Sequence, residues 1–310
     1  MKTLVLSVAV SALMSATAAF AADMQLKAPP PAPSPWDIAF GGALMTDYNF
    51  RGISQSNRGP STTFYVESRY NVNSSLQLYA GSQYWAVTLP TNPTCECDFY
   101  GGIRPTFGPV TFDLGFIYYY YPKEQQHAAV VGAPFPPFPN GNMTLNDTDY
   151  YEGYGKFSYD VIKDKFNVGG NFYYSPSWLN TGAYGAYGSL TAKYTLPSVK
   201  LRLGLIDEVG IAVSGELGHY WLGTTRVVPV VLPVAIDLPD YTTWNVGVTF
   251  SFAKVFSFDV RYYDTNLSRS NCNVLTGDPN ASGAPLGSNW CSATVIGALK
   301  ADLTYLSNLK

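Results

Sequence analysis

Val110-Thr111-Phe112-Asp113-Leu114-Gly115-Phe116-Ile117-Tyr118-Tyr119-Tyr120-Tyr121 is where the fold is easiest to read. In a strand, successive side chains point to opposite faces. Val110, Phe112, Leu114, Phe116, Tyr118 and Tyr120 therefore share one side, and Thr111, Asp113, Gly115, Ile117, Tyr119 and Tyr121 share the other. One face is wholly apolar and the other is mixed. Globular strands average about 5–6 residues, whereas a tilted strand needs about 9–11 to cross a bilayer. The stretch reaches the second length.

The same alternation recurs on both sides. Upstream, Ile38, Phe40, Gly42, Leu44, Thr46, Tyr48 and Phe50 oppose Asp37, Asp47, Asn49 and Arg51, and Phe64, Val66 and Tyr70 oppose Tyr65, Glu67 and Arg69. Downstream, Trp244, Val246, Val248 and Phe250 oppose Asn245, Gly247 and Thr249, and Leu299, Ala301 and Leu303 oppose Lys300, Asp302 and Thr304. No sustained helical period occurs. The pattern predicts about 12 strands, roughly 37–51, 61–71, 75–88, 97–107, 109–121, 149–160, 165–175, 184–195, 210–221, 241–253, 255–264 and 292–305. Apolar alternation at Val199, Leu201, Leu203 and Leu205 leaves room for an extra strand within 196–209.

The connections sort by parity. Those at Asn71–Ser74, Gly108, Val161–Asp164 and Lys254 are short. Those at Gly52–Pro60, Leu89–Glu96, Pro122–Thr148, Pro176–Ala183, Leu222–Asp240 and Thr265–Cys291 are mostly long and rich in Pro, Gly and Asn. Alternating short and long connections mark an outer-membrane barrel. The expected fold class is all-β: a transmembrane antiparallel up-and-down β-barrel. A soluble β-sandwich has no reason to sort its loops this way.

Composition agrees. Aromatics are 15% of the chain, charged residues only 13%, and mean hydropathy is −0.01. A helical membrane bundle would be more apolar and an ordinary soluble domain more charged. The net charge of −3 points away from nucleic acid. Lys2, the apolar run Leu4–Leu13 and Ala19-Phe20-Ala21 predict a cleaved signal peptide over 1–21. Residues 22–35, with Ala28–Pro35 reading APPPAPSP, form a stiff Pro-rich periplasmic linker, and 36–310 the barrel.

All four cysteines lie in or beside long connections. Cys272 could pair with Cys291, or with Cys95 or Cys97 across loops. Aromatics gather near strand ends, among them Trp36, Tyr48, Phe50, Trp85, Tyr118–Tyr121, Tyr150, Tyr151, Tyr173, Tyr174, Trp221, Trp244, Tyr262 and Tyr263. Outward ones would form interfacial girdles.

Thr46-Asp47-Tyr48-Asn49-Phe50-Arg51-Gly52-Ile53-Ser54-Gln55 resembles the opening motif of the TorF porin family of proteobacterial outer membranes. Phe99–Gly102, Tyr118–Pro122, Tyr173–Pro176, Tyr241–Gly247 and Tyr262–Asn266 follow in the matching order. The resemblance implies an outer-membrane barrel with pore activity, but no substrate and no catalytic residues. The chain departs from the usual aromatic last residue, ending Ser307-Asn308-Leu309-Lys310. The barrel-assembly machinery that would insert it thus meets an atypical terminus.

The inward face would carry charges of both signs. Glu67, Arg69, Arg104, Asp113, Glu152, Lys156, Asp259 and Arg261 are the candidate pore-lining residues; such rings set ion preference. Inward Tyr79, Trp85, Tyr119 and Tyr173 could narrow the lumen, and Pro122–Thr148 could fold into it. Only two histidines exist, His127 and His219, and neither has a Ser or Asp partner at a useful spacing. The reading is non-enzymatic, with no cofactor and no metal site. It expects passive diffusion of small hydrophilic solutes or ions through a channel surrounded by outer-membrane lipid. The alternative is a plugged structural or surface-recognition barrel. Oligomeric state is left open.

Overall fold

The computed structural model describes residues 34–125, 147–204, 206–226, 235–282 and 286–309. The expected signal peptide, nearly all of the linker, His127 and the Phe135–Phe138 segment lie outside the described residues. Fourteen strands follow in order: β1 (Trp36–Met45), β2 (Asn49–Phe50), β3 (Ile53–Ser54), β4 (Ser61–Asn73), β5 (Leu76–Trp85), β6 (Glu96–Phe107), β7 (Val110–Tyr120), β8 (Tyr150–Ile162), β9 (Phe166–Ser175), β10 (Gly185–Leu203), β11 (Ile206–Leu222), β12 (Tyr241–Phe252), β13 (Phe256–Thr265) and β14 (Thr294–Thr304). All but β2 and β3 join one closed wall of 12 antiparallel strands, each paired with its sequence neighbour. β1 closes the ring onto β14, from Ala39↔Thr304 to Met45↔Ala298. Closure gives each of the twelve wall strands a partner on both sides.

The wall is inside-out relative to a soluble barrel. Leu44, Phe64, Phe99, Phe107, Leu190 and Val295 each expose more than half of their surface outward. By contrast, Glu67, Glu152 and Asp259, on the wall strands β4, β8 and β13, are buried within. Burial within the wall therefore follows the period-2 alternation, with the polarity of its two faces reversed.

Residues 196–209 add no strand. β10 and β11 run on as a ribbon past their neighbours, to the turn after Leu203. Their register shifts between Leu196 and Val199, across Pro197, which lacks the N–H a ladder needs. The last strand ends at Thr304, and a single turn over Tyr305–Leu309 follows, with the Leu306 N–H donating to Asp37 Oδ1 at 3.0 Å.

One expectation needs correction. The first strand does not reach residue 51. It stops at Met45, and the chain leaves the wall to form the short β2–β3 hairpin. The aromatic clusters divide between the two faces of the wall. Trp36, Tyr120, Tyr151, Tyr174, Trp221 and Tyr262 are exposed outward. Tyr119, Tyr121 and Tyr150, by contrast, are buried in an interior core with Trp178, Tyr187, Tyr220, Tyr241 and Trp290. Tyr-Tyr pairs straddle the wall because neighbouring residues point to opposite sides.

This core fills the end of the barrel that bears the long connections. The connection 266–293 contributes helix α1 (Arg269–Thr276), capped by the Ser268 hydroxyl and ended by left-handed Gly277. Cys272 in α1 is joined to Cys291, and Cys95 to Cys97. Removing the Cys272–Cys291 link by Cys272→Ser/Cys291→Ser should cost about 3 kcal/mol through loop-closure entropy. Faster proteolysis of 266–293 in the folded protein would register it.

Candidate functional site

The β2–β3 hairpin is built from local chemistry. Phe50 pairs with Ile53, leaving Arg51-Gly52 as a two-residue turn. Both have positive φ, 49° and 89°, as a type I′ hairpin requires. Asn49 Oδ1 accepts the Gly52 N–H at 2.9 Å. The base is tied by Asp47, whose Oδ1 accepts from the Ser54 and Ser56 hydroxyls at 2.6 and 2.8 Å. The Ser54 N–H donates to Trp290 O at 3.0 Å, and Trp290 Nε1 donates to Asn57 Oδ1 at 3.0 Å. The disulfide-braced connection thus clamps the hairpin.

The tip lies inside the lumen. Arg51 donates two hydrogen bonds, each 2.7 Å, to the two carboxylate oxygens of Glu152 on β8. Glu152 is 0% exposed, and its Oε2 also accepts the Tyr119 hydroxyl at 2.9 Å. The guanidinium carbon sits 4.5–4.9 Å from the ring centroids of Phe50, Tyr173, Tyr187 and Tyr220. Bidentate pairing and cation–π contact are strongest where water is excluded. Gly52 has no room for a side chain, because a Cβ would overlap Thr243 and Thr265. Tyr48 stacks on Trp85 at 4.0 Å and donates to Glu96 Oε1 at 2.5 Å.

The hairpin divides the polar lumen. One cavity of about 600 Å³ is lined by Arg51, Lys193, Glu216, Asn245, Arg261 and Lys300, among others. Another of about 240 Å³ lies along Asp47, Tyr48, Gln83, Trp85 and Asp302. Toward the long connections the space shrinks to an aromatic cleft of about 70 Å³ between Phe50, Ile53, Tyr121, Trp178 and Trp290.

The eight candidate pore-lining charges all face inward, in separate groups. Glu67 pairs with Arg69 at 2.6 Å and Arg104 at 2.8 Å, and Arg104 reaches Asp113 at 3.3 Å. Asp259 pairs with Arg261 at 3.1 Å, which also donates to Asn245 Oδ1 at 2.7 Å. Lys156 stands over the Tyr154 and Tyr173 rings at 4.3 and 5.3 Å. Glu152 is not free, being engaged by Arg51. The element entering the lumen is the 46–60 connection. The other expected intruder, Pro122–Thr148, lies mostly outside the described residues.

Residues 30–282 match the family described as "Bacterial protein of unknown function (Gcw_chp)". The chain belongs to the Gcw_chp family. The matched span contains the whole hairpin and its partners on β6, β8, β10 and β11. No curated protein matches the sequence. Among solved structures, this Gcw_chp chain is similar to the COG4313 outer membrane channel from Pseudomonas putida F1, at 9% identity over 88% of this chain and 96% of that one, TM-score 0.45. It is also similar to the KdgM porin, at 9% identity over 86% and 97%, TM-score 0.40. The NanC porin matches at 9% identity over 87% and 98%, TM-score 0.39.

In this Gcw_chp chain the hairpin base carries a pH dependence. Burial raises the Asp47 carboxyl above its ordinary range, opposed by the Ser54 and Ser56 hydroxyls and the Arg58 charge. Its Oδ2 has no hydrogen-bond partner. The folded state then binds this proton more tightly than the unfolded chain. Stability from Asp47 is therefore greatest at low pH and declines as pH rises from the ordinary aspartate value through the raised one. Asp47→Asn should flatten that part of a pH series of thermal midpoints.

Proposed function

We propose that this chain is a porin-like channel of the bacterial outer membrane, for passive diffusion of small hydrophilic solutes or ions, narrowed by its own first hairpin. The observation that carries the reading is the pairing of an apolar outer wall with a polar, water-sized lumen inside one closed barrel. An exposed apolar surface of this extent has no stable place in water. A barrel with every backbone group paired can sit in lipid. The polar cavities on either side of the hairpin then replace the hydrocarbon barrier, and the grouped charges of both signs set the field a solute meets.

The resemblance of the opening motif to the TorF porin family fits, and so does the expected signal peptide, which would deliver the chain across the inner membrane. The short turns would face the periplasm and the long connections the exterior. The obstruction is a connection and not a wall strand, so it blocks the lumen without being needed to close the barrel.

A second reading has its own support. The aromatic core at the long-connection end would suit a plugged barrel whose loops serve surface recognition. Reconstituting the refolded protein in planar bilayers separates the two. The channel reading expects stepwise currents, with a reversal potential in a salt gradient that gives the sign of selectivity. A folded, heat-modifiable barrel that carries no current, with its hairpin intact or removed, would leave the plugged barrel as the function.

A further inference from the structure

The wall near Arg51 buries two carboxyl groups besides that of Glu152. Glu96, Asp98 and Glu152 are all buried within the wall, at 3%, 3% and 0% exposure. Of these three, only Glu152 has an ion pair among the described residues. Glu96 is served by the Tyr48 and Tyr121 hydroxyls at 2.5 and 2.8 Å. Asp98 is the cross-strand partner of Tyr119, whose hydroxyl touches Glu152. Asp98 is hydrogen-bonded to the Trp85 side chain, while its Oδ1 has no hydrogen-bond partner. A buried carboxylate oxygen with no donor is costly, and each such atom asks for an explanation.

The chamber that receives Arg51 also has a set shape. Its carboxylate offers a planar fork, and the rings of Tyr173, Tyr187 and Tyr220 face the cation from the barrel wall, with only the Phe50 ring brought by the hairpin. Faces of aromatic rings attract weakly hydrated organic cations. A small metal ion would need several oxygen ligands. No group of three or more His, Cys, Asp or Glu suited to hold a metal occurs among the described residues. An anion would meet the Glu152 carboxylate.

We propose that this acid-and-aromatic chamber is a binding site for organic cations of the guanidinium and amine class, filled in cis by Arg51 while the hairpin is seated. Arg51 is thus a tethered stand-in for the solute. When the hairpin leaves, the wall keeps Glu152, Asp98 and three ring faces, and a free guanidinium takes the same two hydrogen bonds. The inference rests on the channel reading only for the route by which a solute arrives.

The test does not use conduction. Refolded wild type, Arg51→Ala and Arg51→Ala/Glu152→Gln would be titrated in detergent with millimolar methylguanidinium chloride, against sodium chloride at equal ionic strength. Thermal unfolding of the barrel is the readout. The proposal expects a saturable rise in the Arg51→Ala midpoint, no saturable rise in wild type, where Arg51 competes, and none in the double variant beyond that of sodium chloride. A missing rise in Arg51→Ala, or an equal one in the double variant, would overturn it. Should Arg51→Ala fail to refold in sodium chloride, refolding yield becomes the readout. Methylguanidinium then restores the yield if the site exists, and failure to restore it overturns the site. A barrel that binds but never conducts would sink the channel reading and leave the site standing.

Discussion

Glu152→Gln should destabilise the folded barrel by about 3–5 kcal/mol, the usual effect of removing one partner from a buried ion pair. The reason is local. Arg51 has 6% of its side chain exposed and Glu152 none, so the guanidinium left behind cannot recover its hydration without withdrawing the hairpin. Gln keeps the size of Glu but offers one acceptor oxygen where two were used. The four surrounding rings attract the cation without replacing the lost charge. Two readouts should move together: a lower unfolding midpoint in detergent, and a several-fold larger conductance because the tip no longer stays seated. Lower stability with unchanged conductance would mean that the ion pair braces the wall without controlling the passage.

Gly52→Val should unseat the hairpin without touching any charge. Gly52 has φ of +89°, a region that costs an L side chain about 1–2 kcal/mol. Any Cβ there also meets Thr243 on β12 and Thr265 on β13. The clash vanishes once the tip is outside, and a turn released from the wall is free to give up its positive φ, so the variant should relieve both by leaving the lumen. The expected result is a barrel that still folds, with its twelve wall strands paired, and with the larger conductance of an unobstructed pore. Failure of the wall itself to form would show instead that the hairpin is a folding core.

The wall was legible because alternation depends on nothing but the strand period. Phe64 and Val66 against Tyr65 and Glu67 fixes the facing whatever the neighbours are, and loop parity fixes the orientation of successive strands. The hairpin was not legible, for a related reason. Residues 46–51 continue the alternation of β1, with Tyr48 and Phe50 in step with Leu44. Period 2 cannot tell a strand in the wall from one folded inward. The departure is set by contacts far away in sequence, those of Arg51 with Glu152 and of Ser54 with Trp290.

One local signal was present. Arg51-Gly52 between Phe50 and Ile53 suits a two-residue turn, although the Asn-Gly or Asp-Gly form of that turn is the stronger cue. The aromatic core was half visible. Tyr118–Tyr121, Tyr150-Tyr151 and Tyr173-Tyr174 must each place one ring inside if the other is outside. Alternation alone placed Tyr119 and Tyr173 inward, but not their packing with Trp178, Tyr220 and Trp290 into one core. The grouping of the inward charges follows register, which alternation along a single strand does not contain.

On the channel reading, residues 46–60 are the obstruction between the polar cavities of the lumen. The most direct measurement compares single-channel conductance of the wild type with a variant whose residues 47–59 are replaced by a short Asn-Gly turn joining β1 to β4. A several-fold larger, steady conductance in the variant, with the same heat-modifiable barrel in both, is the predicted result. Equal conductance in the two proteins would contradict it and place the limiting constriction elsewhere in the lumen.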